Sequence, residues 1–246
     1  MTLLLLAGTA EARQIAAQLA EAGLPVLASR AGAVREVADY PVPTRTGGFG
    51  GAEGFLTTLR DHQITAVLDA THPFAAKITE RTARLCAKAD LPYARLSRPE
   101  WTAGPGDEWH DVATPEEAAR QIPQGSRVFL ATGAQEVARY AALDGRAAVF
   151  VRRAEATGAE FPFARGRWIV GRGPFDVDAD RALFQLLGID WIITKNAGGA
   201  ASRAKLDAAR ELHLPVVMIA RPPEPKGMPI LRTTQAAVDW ATARCT

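Results

Sequence analysis

The 246-residue chain has few of the residues that build disulfide scaffolds and metal sites. It contains 2 cysteines and 4 histidines. Cys86 and Cys245 are far apart and form no CxxC pair, and the chain has no HExxH segment. We therefore expect no disulfide, no metal and no role for either thiol in catalysis. Such sparse cysteine usage is typical of a reducing compartment, so the expected location is the cytoplasm.

The chain also lacks a large surplus of charge and a long hydrophobic run. Its 29 basic and 27 acidic residues leave a formal net charge of +2. This balance favours neither a nucleic-acid partner nor an anionic membrane surface. The apolar segment Leu3–Leu6 ends before Gly8 and is too short for a transmembrane helix. A small-molecule partner is expected instead.

Short apolar runs alternate with amphipathic segments along most of the chain. Leu3–Ala7 is typical of a strand buried on both faces, and helical spacing of apolar residues follows from Ala12 to Ala22. This alternation predicts an α/β fold with two Rossmann-like lobes and parallel sheets. The segment Ser97–Asp107 is rich in proline and glycine, which predicts lobes at 1–98 and 108–246.

The first candidate site is the Gly8-Thr9 turn after the first strand. Ligands of open α/β sheets bind beyond the carboxyl ends of the strands, where a helix N-terminus can hold a phosphate. The full GxGxxG fingerprint is absent, so this turn alone also fits an ordinary βα connection. The second strand ends in Ser29-Arg30 and not in the acidic residue that binds the ribose of NAD. Arg30 suits the 2′-phosphate of NADPH, and a solvated surface arginine is the alternative.

Two further loops belong to the first half of the chain. Gly47–Gly51 is dense in glycine, which fits either close approach to a ligand or a mobile bend. The strand ending at Asp69 is followed by Thr71 and His72, whose side chains would project toward the same edge of the sheet. A lone histidine at such a position often only packs or caps.

In the second half, two loops that follow strands are candidates for binding an anion. One contains Thr132-Gly133 and the other contains Lys195 and a glycine pair that ends at Gly199. The second loop is the stronger candidate because Lys195 adds a formal positive charge.

Taken together, these segments resemble one enzyme family. AGTAEAR, GGFGG, DATHPFA, RLSRPEW, ATG and TKNAGG occur in an order and spacing similar to those of the precorrin-6A reductases of the cobalamin pathway. The resemblance extends along nearly the whole chain. It implies an NADPH-dependent oxidoreductase acting on a CH–CH group, which reduces one double bond of the tetrapyrrole precorrin-6A to give precorrin-6B.

The resemblance also implies a division of roles between the lobes. Lobe 1–98 would bind NADPH and lobe 108–246 would face the substrate, with both molecules in the cleft between the lobes. The implied cofactor-binding residues are Gly8, Thr9, Ser29, Arg30, Gly47, Gly48, Thr71 and His72. The implied substrate-binding residues are Thr132, Gly133, Lys195 and Gly198. Ala197 stands where a serine is expected in this family, so the chain lacks that hydroxyl.

Lys195 and His72 are the two candidate catalytic residues. A lysine near its reference pKa of about 10.4 is a poor proton donor at neutral pH, so Lys195 is assigned to a substrate carboxylate. His72 is assigned to positioning the cofactor or substrate, and the proton would come from water or from the macrocycle. The further basic candidates for the substrate carboxylates are Arg13, Lys77, Arg203 and Arg221.

Other functions are weighed against this interpretation. A short-chain dehydrogenase requires a tyrosine followed four residues later by a lysine, and the chain has no such pair. Tyr40, Tyr93 and Tyr140 are followed at that spacing by Thr44, Ser97 and Asp144. A non-catalytic NADPH-binding regulatory module of Rossmann type stays open. Handover of the product to neighbouring pathway enzymes is a further hypothesis.

Overall fold

The chain folds into two compact α/β units. The computed structural model describes residues 1–32, 40–156, 158–171, 173, 175–200 and 202–245. Unit 1 comprises Met1–Pro99 and Pro222–Thr246, and unit 2 comprises Glu100–Arg221. Each unit contains a six-stranded parallel sheet, so the predicted α/β class with two parallel sheets is confirmed. Within the described ranges, no helix is long and apolar enough to cross a bilayer.

Strands and helices alternate along the described residues. The strands are β1 (Thr2–Leu6), β2 (Val26–Arg30), β3 (Thr44–Thr46), β4 (Ile64–Asp69), β5 (Tyr93–Leu96), β6 (Trp109–Val112), β7 (Arg127–Leu130), β8 (Ala148–Arg153), β9 (Gly166–Val170), β10 (Trp191–Lys195), β11 (Val216–Ile219) and β12 (Ile230–Leu231). The α-helices are α1 (Ala10–Glu21), α2 (Gly51–Asp61), α3 (Ala76–Lys88), α4 (Pro115–Gln121), α5 (Val177–Leu187), α6 (Ala204–Glu211) and α7 (Thr234–Cys245). A 3₁₀ helix covers Ala134–Leu143.

The sheet of unit 1 has the order β3-β2-β1-β4-β5-β12, which is the strand order of a Rossmann fold. The chain direction across the sheet reverses between the neighbouring strands β1 and β4. The loops after these two strands therefore diverge from one point at the carboxyl edge. This switch point is where ligands of open α/β sheets bind.

The core of unit 1 explains why its first strand and helix form. The side chains of Leu3–Leu6 are almost fully buried, as the continuous apolar run predicts. Helix α1 buries Ala12, Ile15, Ala16 and Leu19, which lie on one face at helical spacing. Helix α7 packs into the same hydrophobic cluster through Ala237, Trp240 and Ala241.

The carboxyl end of the chain belongs to unit 1, whereas the sequence-based boundaries assign it to the second lobe of 108–246. Strand β12 pairs with β5, with Ile230 opposite Arg95 and Leu231 opposite Leu96. The apolar face of α7 is buried in unit 1 as well. A strand of two residues carries no periodic signal, and therefore no pattern in the sequence separates these residues from the preceding ones.

Unit 2 has the same architecture, but its edge strand comes from a different position in the chain. Its sheet has the order β9-β8-β7-β10-β11-β6, so that the switch point lies between β7 and β10. The sixth strand, β6, precedes the other five in the chain. The helix between β7 and β8 is a 3₁₀ helix, and its dihedral angles depart from helical values at Tyr140.

Candidate functional site

The turn after β1 combines an open backbone with a capped helix. Gly8 has a φ of +142°, a conformation that favours glycine, and no atom lies within 4 Å of the position that a Cβ would take. The Thr9 hydroxyl accepts a hydrogen bond from the Ala12 N–H at 3.1 Å and so caps α1. It also donates to the Ala70 carbonyl at 2.9 Å. Because the Thr9 hydroxyl is used within the protein, the turn offers an anion backbone N–H groups and the α1 N-terminus.

Tyr40, which sequence reasoning missed, brings two predicted cations to this turn. Its hydroxyl accepts a hydrogen bond from the Gly8 N–H, and the charges of Arg13 and Arg30 act on it. Burial raises the pKa of Tyr40, while Arg13, the Gly8 N–H and Arg30 oppose that rise. The charges of two arginines thus act on a hydroxyl beside the N-terminus of α1, and such positive charge near a helix N-terminus suits phosphate groups.

Arg45 links three of the predicted cofactor-binding residues. Its Nη1 donates to the Ser29 hydroxyl at 2.7 Å and to the Gly47 carbonyl at 3.2 Å, and its Nη2 donates to the Gly48 carbonyl at 3.0 Å. The guanidinium also lies 4.2 Å from the ring centroid of Phe49. Burial lowers the pKa of Arg45. Ser29, Gly47 and Gly48 are therefore brought together, but by an arginine on a three-residue strand that sequence reasoning did not single out.

The loop after β4 is fixed by a buried carboxylate. Asp69 is fully buried, and its Oδ1 accepts from the N–H of Thr71 at 2.9 Å and from its hydroxyl at 2.6 Å. Its Oδ2 accepts from the hydroxyls of Thr79 at 2.6 Å and Tyr93 at 2.8 Å, and from Arg95 at 3.0 Å. The DATHPFA segment therefore begins with a structural residue, and the Thr71 hydroxyl serves this network.

His72 occupies a partly exposed position on the same loop. Its Nδ1 accepts from the Phe74 N–H at 3.3 Å, and the two rings lie 5.8 Å apart between centroids. Arg95 donates to the Pro73 carbonyl at 3.3 Å, which holds the loop from below. The hydrogen bonds of Asp69 and Arg95 thus hold the loop in place, and His72 lies on this loop at the switch point.

An ion pair joins two of the quoted motifs within unit 1. Arg98, from RLSRPEW, lies 2.9 Å from the carboxylate of Glu11, from AGTAEAR. Both side chains are largely buried. Burial lowers the pKa of Arg98, and Glu11 opposes that change. The pair ties the end of the β5 segment to the first turn of α1.

The switch point of unit 2 brings together the two predicted anion loops. Thr132 and Gly133 follow β7, and the adjacent strand β10 ends at Lys195. The Lys195 ammonium forms an ion pair with Glu136, which lies in the first turn of the 3₁₀ helix after Gly133. The Lys195 side chain is 13% exposed. Sequence reasoning missed Glu136 because nothing local indicates that it faces a lysine 59 positions later.

The loop after Lys195 is held by side chains on both sides. The Asn196 side chain accepts from the Trp101 N–H at 2.9 Å and donates to the Trp101 carbonyl at 3.0 Å. The Trp101 indole N–H donates to the Gly199 carbonyl at 2.8 Å. Arg221 donates to the carbonyls of Asn196 and Ala197, at 2.7 and 2.8 Å. Gly198 and Gly199 have positive φ angles, which favour glycine.

The remaining candidates lie away from these groups or serve other contacts. Lys77 is exposed in the first turn of α3, and Arg203 pairs with Asp207 at 3.2 Å on α6. Cys86 and Cys245 are free and buried, and burial and then Asp69 raise the pKa of Cys86 to about 12. Among the described residues, no group of histidine, cysteine and carboxylate side chains is placed to hold a metal ion.

Comparison with known proteins identifies the family. The family model described as Precorrin-6x reductase CbiJ/CobK matches residues 2–242. The chain belongs to the precorrin-6x reductase family. Its family resemblance and its two-sheet α/β fold, both predicted from the sequence, are thus confirmed.

Several members of the precorrin-6x reductase family match along their whole length. A protein of Rhodococcus erythropolis named precorrin-6A reductase is 41% identical over 241 residues, covering 97% of this chain and 96% of the relative. A solved structure named CobK precorrin-6A reductase superposes with a TM-score of 0.94 at 36% identity, covering 99% of this chain and 97% of that chain. A Priestia megaterium protein named cobalt-precorrin-6A reductase is 30% identical, covering 89% of this chain and 90% of the relative.

Proposed function

We propose that this chain uses NADPH to reduce one double bond of precorrin-6A, giving precorrin-6B in cobalamin biosynthesis. The strongest support is the 41% identity, over 97% of the chain, to a protein named precorrin-6A reductase. Unit 1 supplies the Rossmann strand order that suits a dinucleotide. The proposal assigns NADPH to unit 1 and the tetrapyrrole to unit 2.

The residues at the first switch point fit NADPH. The N-terminus of α1 and the open turn at Gly8 suit the pyrophosphate. Arg30 suits the 2′-phosphate, and the charges of Arg13 and Arg30 both act on the Tyr40 hydroxyl. When bound, NADPH supplies the hydride, and the protein's task is to bind and orient. His72 would position the cofactor or the substrate from the loop that Asp69 holds.

In unit 2, Lys195 is proposed to bind a carboxylate of the tetrapyrrole. Glu136 already contacts the ammonium, so Lys195 is held in one place and part of its charge is balanced. Thr132, Gly133 and Gly198 would complete the same site with a hydroxyl and backbone groups. Such a pair anchors a substrate and does not supply a proton readily, so the proton is assigned to water or to the macrocycle.

The metal-free tetrapyrrole is the proposed substrate. The relative named precorrin-6A reductase is 41% identical, whereas the relative named cobalt-precorrin-6A reductase is 30% identical. Since such a reaction draws on cytoplasmic NADPH, the proposed location is the cytoplasm. Direct handover of the product to the next enzyme stays a prediction.

The test is anaerobic oxidation of NADPH by the purified chain. We expect absorbance of NADPH to fall only when precorrin-6A is added, with a product heavier by two hydrogen atoms. NADH and cobalt-precorrin-6A, tested in parallel, should react much more slowly. Nucleotide binding without turnover would favour the regulatory-module alternative. Faster turnover of the cobalt-containing substrate would overturn the choice of a metal-free substrate.

A further inference from the structure

A lysine of unit 2 is buried beneath the loop that follows β10. Lys205, in the first turn of α6, is 8% exposed. Its ammonium donates a hydrogen bond to the Ser202 carbonyl and lies 5.0 Å from the centroid of the Trp101 ring. Asp180 of α5 and Arg152 of β8 form an ion pair at 2.5 Å, and both act on the Lys205 charge.

This burial is energetically unfavourable for a lysine. Desolvation lowers the pKa of Lys205 to about 8, with Asp180 opposing the change and Arg152 adding to it. The Asp180 carboxylate is already paired with Arg152, so Lys205 carries the unbalanced charge of the cluster. An apolar side chain of similar length would fill this place without the desolvation cost. The Lys205 ammonium therefore lowers the stability of the fold. Its contacts indicate what function could offset that cost.

The contacts of Lys205 lead to the candidate substrate loop. Its ammonium lies over the Trp101 indole. Trp101 in turn donates to the Gly199 carbonyl and forms two hydrogen bonds with the Asn196 side chain. Asn196 directly follows Lys195. Trp101 thus connects the buried ammonium to both ends of the 196–199 loop, through its indole N–H at Gly199 and through its backbone N–H and carbonyl at Asn196.

We propose that Lys205 is a positioning residue that holds the Trp101 indole, and through it the 196–199 loop, in the geometry that lets Lys195 anchor the substrate. A cation over an indole ring is attracted to the face of the ring, and this attraction is strongest where water is excluded. The interaction fixes the orientation of the Trp101 ring, and with it the direction in which the indole N–H donates to the Gly199 carbonyl. The link to substrate binding rests on the proposed function, whereas the link to loop geometry does not.

The first experiment measures how well the 196–199 loop is held in place. Hydrogen exchange of the amides of residues 196–199 is compared among the wild type, Lys205→Met, Lys205→Arg and Lys88→Met. Lys88 is an exposed lysine on α3 and serves as the control. We expect Lys205→Met to speed exchange about tenfold, the scale of a lost cation–π contact. Lys205→Arg should restore most of the protection, and Lys88→Met should match the wild type.

The second experiment measures catalysis with precorrin-6A and NADPH. Lys205→Met should raise the apparent KM for the tetrapyrrole about tenfold, lower kcat by a smaller factor and leave the KM for NADPH unchanged. Trp101→Phe, which removes the indole N–H, should do the same. If Lys205 acts through Trp101, the double variant should be no worse than the more impaired single variant.

Each outcome bears on a distinct statement. Normal amide exchange at 196–199 in Lys205→Met would overturn the positioning role, whether or not the chain reduces precorrin-6A. Faster exchange with an unchanged tetrapyrrole KM would overturn the link to the substrate. Additive effects of the Lys205 and Trp101 substitutions would exclude the route through the indole. A wild type that fails to oxidise NADPH with precorrin-6A would contradict the proposed function alone. If Lys205→Met does not fold, Lys205→Gln, which also removes the charge, and Trp101→Phe carry the same tests.

Discussion

Arg30 and Arg45 lie near the same glycine loop but differ in their contacts. The Arg45 guanidinium binds the Ser29 hydroxyl and two loop carbonyls. Arg30 is half-buried and acts on the Tyr40 hydroxyl beside Gly8. Arg45 therefore shapes the loop, whereas Arg30 is the residue that we propose recognises the 2′-phosphate of NADPH.

Replacing Arg30 with alanine should reduce NADPH affinity selectively. We expect a loss of roughly 1.5–3 kcal/mol, the range for hydrogen bonds to charged groups, and little change for NADH. Titration of both nucleotides by fluorescence measures the effect. Arg60→Ala, which removes an exposed arginine of α2, is the control. Equal losses for the two nucleotides would contradict a 2′-phosphate role for Arg30.

The pH dependence of stability should report the buried ammonium of Lys205. Its pKa is about 8 in the folded protein and near 10.5 in the unfolded chain. Between these values the unfolded state binds more protons, so this group makes the fold more stable as pH rises. The shift corresponds to roughly 3 kcal/mol.

Denaturant unfolding of the wild type and Lys205→Met should reveal this dependence. The stability of Lys205→Met relative to the wild type should be greatest at neutral pH and should decline from about pH 8 to 10.5. The charged groups that act on the ammonium are Asp180 of α5 and Arg152 of β8. A difference that does not vary with pH would show that the ammonium is not desolvated.

Much of the candidate site could be predicted at the level of single residues. Gly8, His72 and Thr132 lie in the loops after β1, β4 and β7, and Arg30 and Lys195 end β2 and β10. The strand pattern visible in the sequence therefore places all five at the carboxyl edges of the two sheets. Their partners could not be predicted, because they are set by tertiary contacts between distant segments. The partners in question are Tyr40, Arg45, Glu136 and Trp101.

Helices α1 and α4 begin with the same capping arrangement. Thr9 and Thr114 each accept a hydrogen bond from the N–H three residues later, at 3.1 Å in both cases. Only the Thr9 hydroxyl also donates to a neighbouring loop, at the Ala70 carbonyl. Thr114 can therefore serve as a control for Thr9, because both cap a helix in the same way and Thr9 alone bonds to the loop after β4.

Alanine substitution should separate the two roles of Thr9. Thr9→Ala and Thr114→Ala should each cost about 1 kcal/mol from the lost cap. Thr9→Ala should also weaken NADPH binding, since the turn and the loop after β4 lose their connection. Chemical denaturation and nucleotide titration measure the two effects. NADPH binding that falls equally in both variants would indicate a general loss of stability.

The elements missed by sequence reasoning are short edge strands. Strands β3, β6 and β12 have two to four residues and lack the buried apolar runs of the central strands. An edge strand is partly exposed and needs no continuous apolar run. Central strands such as β1 and β10 can be predicted from the sequence, because burial on both faces requires a continuous apolar run.

At the scale of the whole chain, the segment after unit 2 completes unit 1. Strand β12 extends its sheet, and α7 fills part of its core. Ala237 is fully buried there, whereas Ala243 on the same helix is exposed. The carboxyl-terminal residues therefore contribute to the stability of unit 1.

A charge placed in α7 should destabilise unit 1 selectively. Ala237→Asp buries an unpaired carboxylate, which costs several kcal/mol. Hydrogen exchange should accelerate in β1, β4 and α1 but not in β7 and β10, and Ala243→Asp should have no such effect. Uniform acceleration across both sheets would show that the two units unfold together.

The order of the segments has a consequence for synthesis on the ribosome. Residues 100–221 are contiguous, so every strand of the second sheet has been synthesised before translation reaches β12. The first sheet begins earlier yet stays one strand short until residues 230 and 231 are made. The strands of unit 2 are thus all present in the nascent chain first, and unit 1 is completed last. Translation that ended after residue 221 would leave a chain with every strand of the second sheet and an open edge at β5.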